Sequence, residues 1–589
     1  MKRSDVLLRG GSLTAAALAG AQLAAPEPVE AEPKGPMTWQ HTADVVVVGS
    51  GASGTPAAIA AREAGNSVIV LETENHLGGH GICSGGNVPL GGGTSLQKKY
   101  GIEDSADLLY RDLTDWTVVE GNGAADYRYN DREIIRAFAD NSAATFEFLV
   151  AHGVVFVDKA PDGFGGESVG NSVAREAHAA PMDWPLVQTG QPADPSVRTT
   201  MSTGNGLLQP LLASAHKLGV QYLLAHRMVA LHRETPHTGR VLGVAVTHNG
   251  AKLNVRARKA VILATGGATS NVNWRRMFDP RLTEEYCGVA GTPYSYQDAS
   301  GEISAMAVGA SLWGLANQSG EFGPAITKPG SIGNQFGYVN LRWMPGSPVF
   351  DKAHATGLHV SDWQNVILVN MAGKRFYDET SPQFSSNDVK SVDPYTQGSY
   401  RNAKNAKYNP RNFLNAAMAG IGDGHNGGGP IWAIFDAAAV AREKWVPQPP
   451  NVDAANGFFF QAGSIAELAR AVKMKYQRVP IAPETLEATV ARFNAFVDAG
   501  KDDDFERPAP LYKIATPPFY AAWATPVLHD TRSGLRINGK CQVIDMHGER
   551  IPGLYSCGET AGGFSEHGLA RATCQGRIAG LNAAAENRA

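Results

Sequence analysis

The stretch Ala43-Asp44-Val45-Val46-Val47-Val48-Gly49-Ser50-Gly51-Ala52-Ser53-Gly54 decides the fold of this chain. Its four consecutive valines, without polar alternation, are typical of a strand buried on both faces of a parallel sheet. The strand leads into a Gly-x-Gly-x-x-Gly turn and then into an alanine-rich helix predicted over Pro56–Ala64. A second predicted strand, Ser67–Leu71, ends at Glu72. Strand, glycine turn, helix, strand and acid in this order predict a Rossmann-like dinucleotide-binding unit.

Each position of the glycine turn has a physical task. The first glycine allows a tight turn, the second lets the backbone approach a pyrophosphate, and the third lets the helix pack closely on the strand. The free N–H groups and positive dipole end of the helix attract phosphate, and Glu72 is placed to accept hydrogen bonds from a ribose. The cofactor contacts predicted here are Gly49, Gly51, Ala52, Ser53, Gly54 and Glu72.

Further glycine-rich segments indicate FAD rather than NAD. Leu77–Gly86 directly follows the ribose acid, Val261–Gly267 is another buried strand that ends in small residues, and Gly553–Thr560 repeats the pattern near the end of the chain. Repeated units of strand and glycine let the backbone touch one long ligand at several points. The chain is accordingly rich in glycine, with 66 among 589 residues, where average usage is about 7%.

The composition excludes several classes of protein. A formal net charge of −4 and the lack of a basic stripe argue against a nucleic-acid partner. No run of 18 apolar residues occurs, so we expect no conventional membrane span. The five cysteines have unrelated spacings, which match neither a zinc site nor a disulfide framework, and we expect no bound metal.

The first 31 residues are predicted to be an export signal. Lys2, Arg3 and Arg9 form a basic start, a mildly apolar segment follows, and Val29-Glu30-Ala31 is an Ala-x-Ala-like cleavage site. The start resembles a twin-arginine signal in which Ser4 replaces the second arginine. We expect a periplasmic or otherwise exported protein, with a cytoplasmic location as the alternative.

Beyond the glycine turn, motifs along the chain resemble a flavoprotein family that comprises soluble fumarate reductases, succinate dehydrogenase flavoproteins and 3-ketosteroid dehydrogenases. Ala264-Thr265-Gly266-Gly267 is similar to the mid-domain signature of that family, and Asn370–Phe376 and Gly500–Pro508 resemble segments of its fumarate reductases. Gly558-Glu559 resembles its C-terminal FAD contact, in which the glutamate binds the ribityl chain. The resemblance implies FAD and these further contacts: Gly79, His80, Ser84, Gly85, Gly86, Thr265, Gly266, Gly267, Gly558, Glu559 and Ala572. His80 lies close to where some relatives attach FAD covalently, but its spacing to Gly85-Gly86 is one residue off, so we expect FAD to be bound noncovalently.

The same resemblance implies a fold in two parts. The fold class is α/β, a Rossmann-like FAD-binding domain with a sheet like that of glutathione reductase and an inserted α+β capping domain. We expect the FAD-binding domain over 42–289 and 526–587, and the substrate or capping domain over 290–525.

Five catalytic candidates follow from the resemblance. Arg571 occupies the place of a substrate arginine, and a structural ion pair is its alternative role. His529 and Thr531 match a family segment that binds a substrate carboxylate, in which Ser533 here replaces a glycine. Tyr520 resembles a tyrosine near the active site of the steroid branch, and Arg442 lies about two residues beyond the place of a proton-donor arginine. For these side chains, packing or surface exposure remains an alternative.

These departures from the fumarate reductases predict hydride transfer between flavin N5 and a C=C or CH–CH bond activated by a carbonyl, first of all in a bulky ketone or enone such as a 3-ketosteroid. A fumarate- or urocanate-type enoate reductase is one alternative, and a non-catalytic FAD electron-transfer protein is another. The partners expected are a small-molecule substrate and a separate electron donor or acceptor, because the chain has no Cys-x-x-Cys-His haem motif.

Overall fold

The strand that opens the sequence motif lies at the centre of the protein. The structure is a computed structural model that describes residues 37–115, 130–162, 172–182, 203–278, 288–289, 297–313, 319–324, 332–333, 357–376, 378–379, 430–449, 451–507, 509–524, 526–565 and 568–588. The predicted export signal, 1–31, lies outside these residues. Trp39–Ala589 forms one compact unit.

The α-helices of the described residues are α1 (Gly54–Glu63), α2 (Ser95–Lys99), α3 (Ala106–Asp112), α4 (Arg132–Ala151), α5 (Thr203–Lys217), α6 (Val272–Phe278), α7 (Ser300–Ala307), α8 (Ala437–Glu443), α9 (Ile465–Ala471), α10 (Pro483–Ala499) and α11 (Leu569–Ala584). Short 3₁₀ helices cover His80–Cys83, Trp363–Asn365, Ala454–Asn456 and Gly558–Thr560.

The strands of the first half are β1 (His41–Val48), β2 (Val68–Leu71), β3 (Asn87–Pro89), β4 (Glu176–His178), β5 (Gln221–Leu223), β6 (Arg227–Arg233), β7 (Val241–His248), β8 (Ala251–Leu263), β9 (Gly288–Val289) and β10 (Leu312–Trp313). Those of the second half are β11 (Ser319–Pro324), β12 (Ile332–Gly333), β13 (Leu358–His359), β14 (Ile367–Val369), β15 (Trp432–Asp436), β16 (Phe459–Ala462), β17 (Phe519–Trp523), β18 (Pro526–Thr531), β19 (Gly534–Leu535), β20 (Gln542–Ile544) and β21 (Arg550–Ser556).

The main sheet has the order β20-β21-β8-β1-β2-β5. The pairs β21–β8, β8–β1, β1–β2 and β2–β5 are parallel. Helices cover such a sheet on both faces, which is why Val45, Val46 and Val47 are fully buried. The predicted Rossmann-like α/β fold is confirmed, and the last segments of the chain return to complete its sheet.

An antiparallel extension, β6–β7–β8, branches from this sheet. Asn249 and Gly250, with φ angles of 48° and 80°, form the turn between β7 and β8. Two consecutive residues with positive φ are the signature of a type I′ hairpin, the turn that an Asn-Gly pair favours.

A second, antiparallel sheet of order β14-β15-β17-β16 lies within the predicted capping segment. Its core is aromatic and includes Trp432, Trp523 and Phe493 of α10. The helix α10 is amphipathic and buries Leu486, Val490, Phe493 and Phe496 on one face. The domain boundaries drawn from the sequence remain a prediction. Of the helices that the structure describes, none has the length and apolar character needed to cross a membrane.

Candidate functional site: a cofactor groove at the sheet edge

The loops predicted to bind the cofactor meet at one edge of the main sheet. β1, β8 and β21 are parallel neighbours, so their carboxyl ends lie side by side. The loops that follow them contain Gly49–Gly54, Thr265–Gly267 and Gly558–Glu559. Ligands of open α/β sheets bind beyond the carboxyl ends of the strands, so this edge is the expected cofactor site.

The three glycines of the first turn have different surroundings. A Cβ atom on Gly54 would lie 1.9 Å from the Gly49 carbonyl oxygen, and one on Gly49 would lie 2.3 Å from the carbonyl oxygen of Ala264. A Cβ on Gly51 would instead meet nothing closer than 3.8 Å. Gly49 and Gly54 therefore permit close backbone packing, whereas Gly51 leaves room beside the turn for a ligand.

A chain of contacts links the loops around this room. Gly79 approaches the Cα of Gly51, and Gly558 packs on the side chain of Ser53 and near Ala572. Thr265 Oγ1 lies 3.3 Å from Thr560 Oγ1. The loops after β1, β2, β8 and β21 thus border one space together with the start of α11.

Partial exposure marks the residues that face this space. Within the buried stretch Leu569–Gly576 of α11, Ala572 alone is partly exposed, and Glu559 is partly exposed between buried Gly558 and Thr560. We define the FAD groove as the partly exposed residues Gly51, Gly79, Thr265, Gly266, Glu559 and Ala572. All six are among the predicted cofactor contacts, and their convergence fits an extended ligand such as FAD.

The ends of two helices give the groove a positive character. α1 begins at Gly54 and α11 begins at Leu569 after Gly568, whose φ is 84°. In the residues that the structure describes, neither helix has an acidic side chain in its first turn. Free N–H groups and the positive dipole ends of both helices favour anionic groups such as the phosphates of FAD.

Glu72 holds the first turn instead of opening toward a ligand. Its Oε2 accepts hydrogen bonds from Ser50 N at 3.1 Å and Ser50 Oγ at 2.6 Å, and its Oε1 accepts one from Glu74 N at 3.0 Å. Burial raises the pKa of the Glu72 carboxyl, although the hydrogen bonds from Ser50 and Glu74 act in the opposite direction. The predicted ribose contact remains a prediction, since the visible role of Glu72 is to brace the glycine turn.

The second glycine segment forms a 3₁₀ turn over His80–Cys83. Ser84 closes this turn, because its Oγ donates a hydrogen bond to the Gly81 carbonyl at 2.7 Å. His80, Ser84 and Gly85 are partly or fully exposed, whereas Gly86 is buried. The segment therefore leaves His80, Ser84 and Gly85 accessible next to Gly79 of the groove.

Thr531 anchors strand β18 to the mid-domain loop. Its Oγ1 accepts a hydrogen bond from Ala268 N at 2.9 Å, and a Cβ on Gly267 would lie only 2.1 Å from this oxygen. The Thr531 hydroxyl thus bonds to the protein itself, beside Gly267, which directly follows the partly exposed Gly266. The segment His529–Thr531 consequently runs beside the groove. The side chain of His529 lies outside the described residues, so its predicted role remains a prediction.

Arg571 is buried and engaged by main-chain oxygens. It is 2% exposed, and its guanidinium donates hydrogen bonds to the carbonyls of Thr531 (3.4 Å), Gly558 (3.1 Å) and Ala561. These contacts join three loops of the site. The sequence reasoning did not anticipate these bonds, and both the substrate role and its alternative, a structural ion pair, remain predictions.

The other two catalytic candidates lie in the capping segment. Tyr520, on β17, is 5% exposed, and its ring stacks on Phe435 with the centroids 5.1 Å apart. Burial raises the pKa of its phenol. Arg442 is exposed on α8, where its Nε donates to Asn365 and its guanidinium lies 4.1 Å from the centre of the Tyr512 ring. The structure therefore accounts for both side chains by packing and surface contacts, and a catalytic role for either stays a prediction.

Two motifs of the family resemblance meet in a buried ion network. Arg375, from the first motif, pairs with Glu379 at 2.9 Å and with Asp502, from the second, at 2.8 Å. Arg507 pairs with Glu379 at 3.0 Å, and both of these side chains are fully buried. The motifs thus brace the capping segment, a role that the sequence reasoning did not assign to them. Buried charges survive only when they are paired in this way.

Two further residues of the site were missed from the sequence. Asn130 Oδ1 accepts hydrogen bonds from Ser565 N and Ser565 Oγ, both at 2.7 Å, and so holds the loop that leads to α11. Gln297 Nε2 donates to Glu559 Oε2 at 2.7 Å and orients the carboxylate of the groove. No local pattern marks either residue, because each acts across more than 250 positions of the chain.

With this geometry established, comparison with known proteins defines the class of protein. The sequence matches the FAD binding domain family over residues 44–572. The chain belongs to this family, FAD is its cofactor, and it is an FAD-dependent oxidoreductase. The resemblance drawn from the glycine motifs is thereby confirmed.

Particular relatives extend over nearly the whole chain. The urocanate reductase of Eggerthella lenta is 27% identical over 94% of this chain and 77% of its own length. The acrylate reductase flavoprotein subunit of Shewanella woodyi is 26% identical over 97% of this chain and 96% of its own. Among solved structures, a 3-ketosteroid Δ1-dehydrogenase from Sterolibacterium denitrificans superposes with a TM-score of 0.61 at 20% identity, over 92% of this chain and 100% of that one. At this identity the structural likeness supports the fold alone.

Proposed function

We propose that this oxidoreductase transfers a hydride between FAD and a carbon–carbon double bond next to a carbonyl group, and that its substrates are α,β-unsaturated carboxylic acids. The full-length similarity to a urocanate reductase and an acrylate reductase carries the proposal. It reverses the order of the two substrate classes that the sequence motifs favoured.

FAD, when bound, supplies the hydride-transferring centre at its N5. The groove residues Gly51, Gly79, Thr265 and Gly266 offer backbone and small side chains to an extended cofactor, and the start of α11 offers its positive dipole end to a reduced flavin. β18 runs past the groove, fixed by the bond from Ala268 N to Thr531 Oγ1. The proposed role of the segment His529–Thr531 is to orient a substrate carbonyl or carboxylate, and the position of β18 beside the groove supports it.

A bulky enone or ketone, such as a 3-ketosteroid, is the second candidate. It is supported by the hydrogen bonds that the Arg571 guanidinium donates to three main-chain carbonyls, because these bonds leave fewer of its N–H groups for a substrate carboxylate. An enone requires hydrogen-bond donors for one oxygen and no cation, whereas a carboxylate gains most from a charge-assisted partner.

Anaerobic titration of the reduced flavin separates the two classes. The full chain is reduced until the flavin absorbance is bleached, and then acrylate, fumarate, urocanate and a 3-ketosteroid enone are added in separate experiments. Recovery of the oxidised spectrum by the acids but not the enone supports the proposal. Recovery by the enone alone supports the second candidate, and no recovery with any acceptor favours an FAD protein without turnover.

The source or destination of the electrons is also proposed from the sequence. Since the chain has no haem-attachment motif, we infer that a separate donor or acceptor exchanges electrons with FAD. Export to the periplasm remains a proposal that rests on the basic, apolar start of the chain. Fractionation of cells that express the full chain, followed by mass analysis of its N-terminus, tests it.

A further inference from the structure

Glu302 is a buried acid that the proposed chemistry does not use. It lies in the first turn of α7, and its side chain has no solvent exposure. Neither of its carboxyl oxygens has a hydrogen-bond partner among the residues that the structure describes. A carboxylate in such a position lacks both water and a compensating donor, which strongly disfavours its charged form.

The charged groups around Glu302 have the wrong sign to stabilise a carboxylate. Burial is the main cause that raises the pKa of the Glu302 carboxyl well above its ordinary value. Its own backbone N–H acts in the opposite direction, and the negative charges of Asp298 and Glu559 add to the rise. Arg227, on β6, is engaged by Asp298, and Arg233, also on β6, donates to the carbonyl of Val308 at the far end of α7.

The remaining neighbours of α7 do not change this balance. β19 contributes Gly534 and Leu535, which carry no charge. Asp545, which pairs with Ala310 in an isolated bridge, is a further acid on that side. The positive dipole at the start of α7 favours a negative charge, but by less than the cost of removing a carboxylate from water. Burial and the acids around it therefore favour the protonated, neutral form of Glu302.

This acid lies directly behind the FAD groove. The preceding residue, Gly301, is so close to the mid-domain loop that a Cβ atom on it would lie 2.3 Å from Thr265 Oγ1 and 3.0 Å from the Thr560 methyl carbon. Ala299 N donates to the Gly267 carbonyl at 3.3 Å. A change of charge at Glu302 is thus felt by the loops that carry Thr265, Gly267 and Glu559.

We propose that Glu302 is a positioning residue of the FAD site that must remain neutral, and that loss of its proton weakens FAD binding through the adjacent Glu559 and Thr265 loops. An ionised Glu302 would place a second negative charge behind Glu559, close to a cofactor that is itself anionic. FAD binding and protonation of Glu302 are then linked, so that each favours the other.

The test is the pH dependence of FAD binding by the full chain. FAD is titrated into cofactor-depleted protein from pH 5.5 to 9, with flavin fluorescence as the readout, for the wild type, Glu302→Gln and Glu467→Gln. Glu467 is the matched control, because it occupies the same position in the first turn of α9 but is exposed. For the wild type and the control, Kd should rise with pH by up to about tenfold per pH unit, the limit for one linked proton. For Glu302→Gln it should stay flat.

Two results would overturn the proposal. One is a wild-type Kd that does not change over this pH range, and the other is a Glu302→Gln curve that runs parallel to that of the wild type. If Glu302→Gln does not fold, Glu302→Leu takes its place, since leucine needs no hydrogen-bond partner, and the wild-type curve alone still decides whether a proton is linked to binding.

Discussion

Alanine substitutions at two glycines of the turn after β1 should have different effects. Gly54→Ala should destabilise the fold, whereas Gly51→Ala should weaken FAD binding. A methyl group on Gly54 would lie 1.9 Å from the Gly49 carbonyl oxygen and 3.3 Å from the Ala264 methyl group. Since main chain cannot move aside cheaply, Gly54→Ala should lower the free energy of unfolding by about 3 kcal/mol or more. It should do so whether or not FAD is present.

Gly51→Ala should leave the fold intact and act on the cofactor. The new methyl group would meet the Gly78 carbonyl and Gly79 Cα at 3.8 and 3.9 Å, which are ordinary contacts. The stability of the FAD-free protein should therefore change by less than about 1 kcal/mol, with a small gain from the less flexible unfolded chain. In the groove the same methyl group takes space required by the pyrophosphate. A penalty of about 2 kcal/mol there corresponds to a Kd roughly 30-fold higher.

The assay measures each variant twice: urea unfolding of the FAD-free chain by circular dichroism, and FAD binding by fluorescence. The expected pattern is an unstable Gly54→Ala and a stable Gly51→Ala that binds FAD weakly. A Gly51→Ala variant that binds FAD as tightly as the wild type would refute the placement of the pyrophosphate beside Gly51. Equal destabilisation by both substitutions would refute the reasoning from the two sets of contacts.

Four other outcomes are expected. Arg571→Ala should lower the free energy of unfolding by at least about 3 kcal/mol in urea, because three carbonyls lose a charged donor; a variant of normal stability without turnover would support the substrate role instead. Glu379→Gln should cost about 3–5 kcal/mol in the same assay, since it leaves two buried arginines with a weaker partner, and an unchanged midpoint would contradict this. Burial opposes ionisation of Asp44, but hydrogen bonds from Ser67 and Arg258 lower its pKa to about 2. Because this folded-state pKa lies below the unfolded value, the stabilisation is complete above about pH 4 and is lost as the pH falls toward 2. It amounts to about 2 kcal/mol, and Asp44→Asn should abolish that part of the acid dependence. Finally, acid precipitation should leave a colourless pellet and FAD in the supernatant; a yellow pellet would show a covalent flavin.

Features that depend on neighbouring residues could be predicted from the sequence. The valine run, the glycine turn and the Asn249-Gly250 hairpin each follow from local periodicity or from the φ angles that glycine and asparagine tolerate. The edge of the sheet at which the cofactor loops meet also follows, because parallel strands that end in glycines bring their loops together.

Features that depend on distant partners could not be predicted. Arg571 was expected to face a substrate or a carboxylate, and its hydrogen bonds to carbonyls of β18 and of the loop after β21 were not anticipated. The charged motifs at Arg375 and Asp502 are 127 positions apart in the chain and are brought together by the tertiary fold of the capping segment. The Glu72 carboxylate is held toward the glycine turn by the hydroxyl of Ser50. The Gly-x-Gly-x-x-Gly pattern leaves the residue at position 50 unspecified, so it does not predict this bond.

The proposed chemistry is tested most directly by one anaerobic experiment on the flavin-loaded full chain. After chemical reduction has bleached the flavin, addition of an α,β-unsaturated carboxylic acid should restore the oxidised spectrum and yield one equivalent of the saturated acid, while the saturated acid itself should have no effect. A flavin that stays reduced in excess of every unsaturated acid and enone would contradict hydride transfer to a carbonyl-activated double bond.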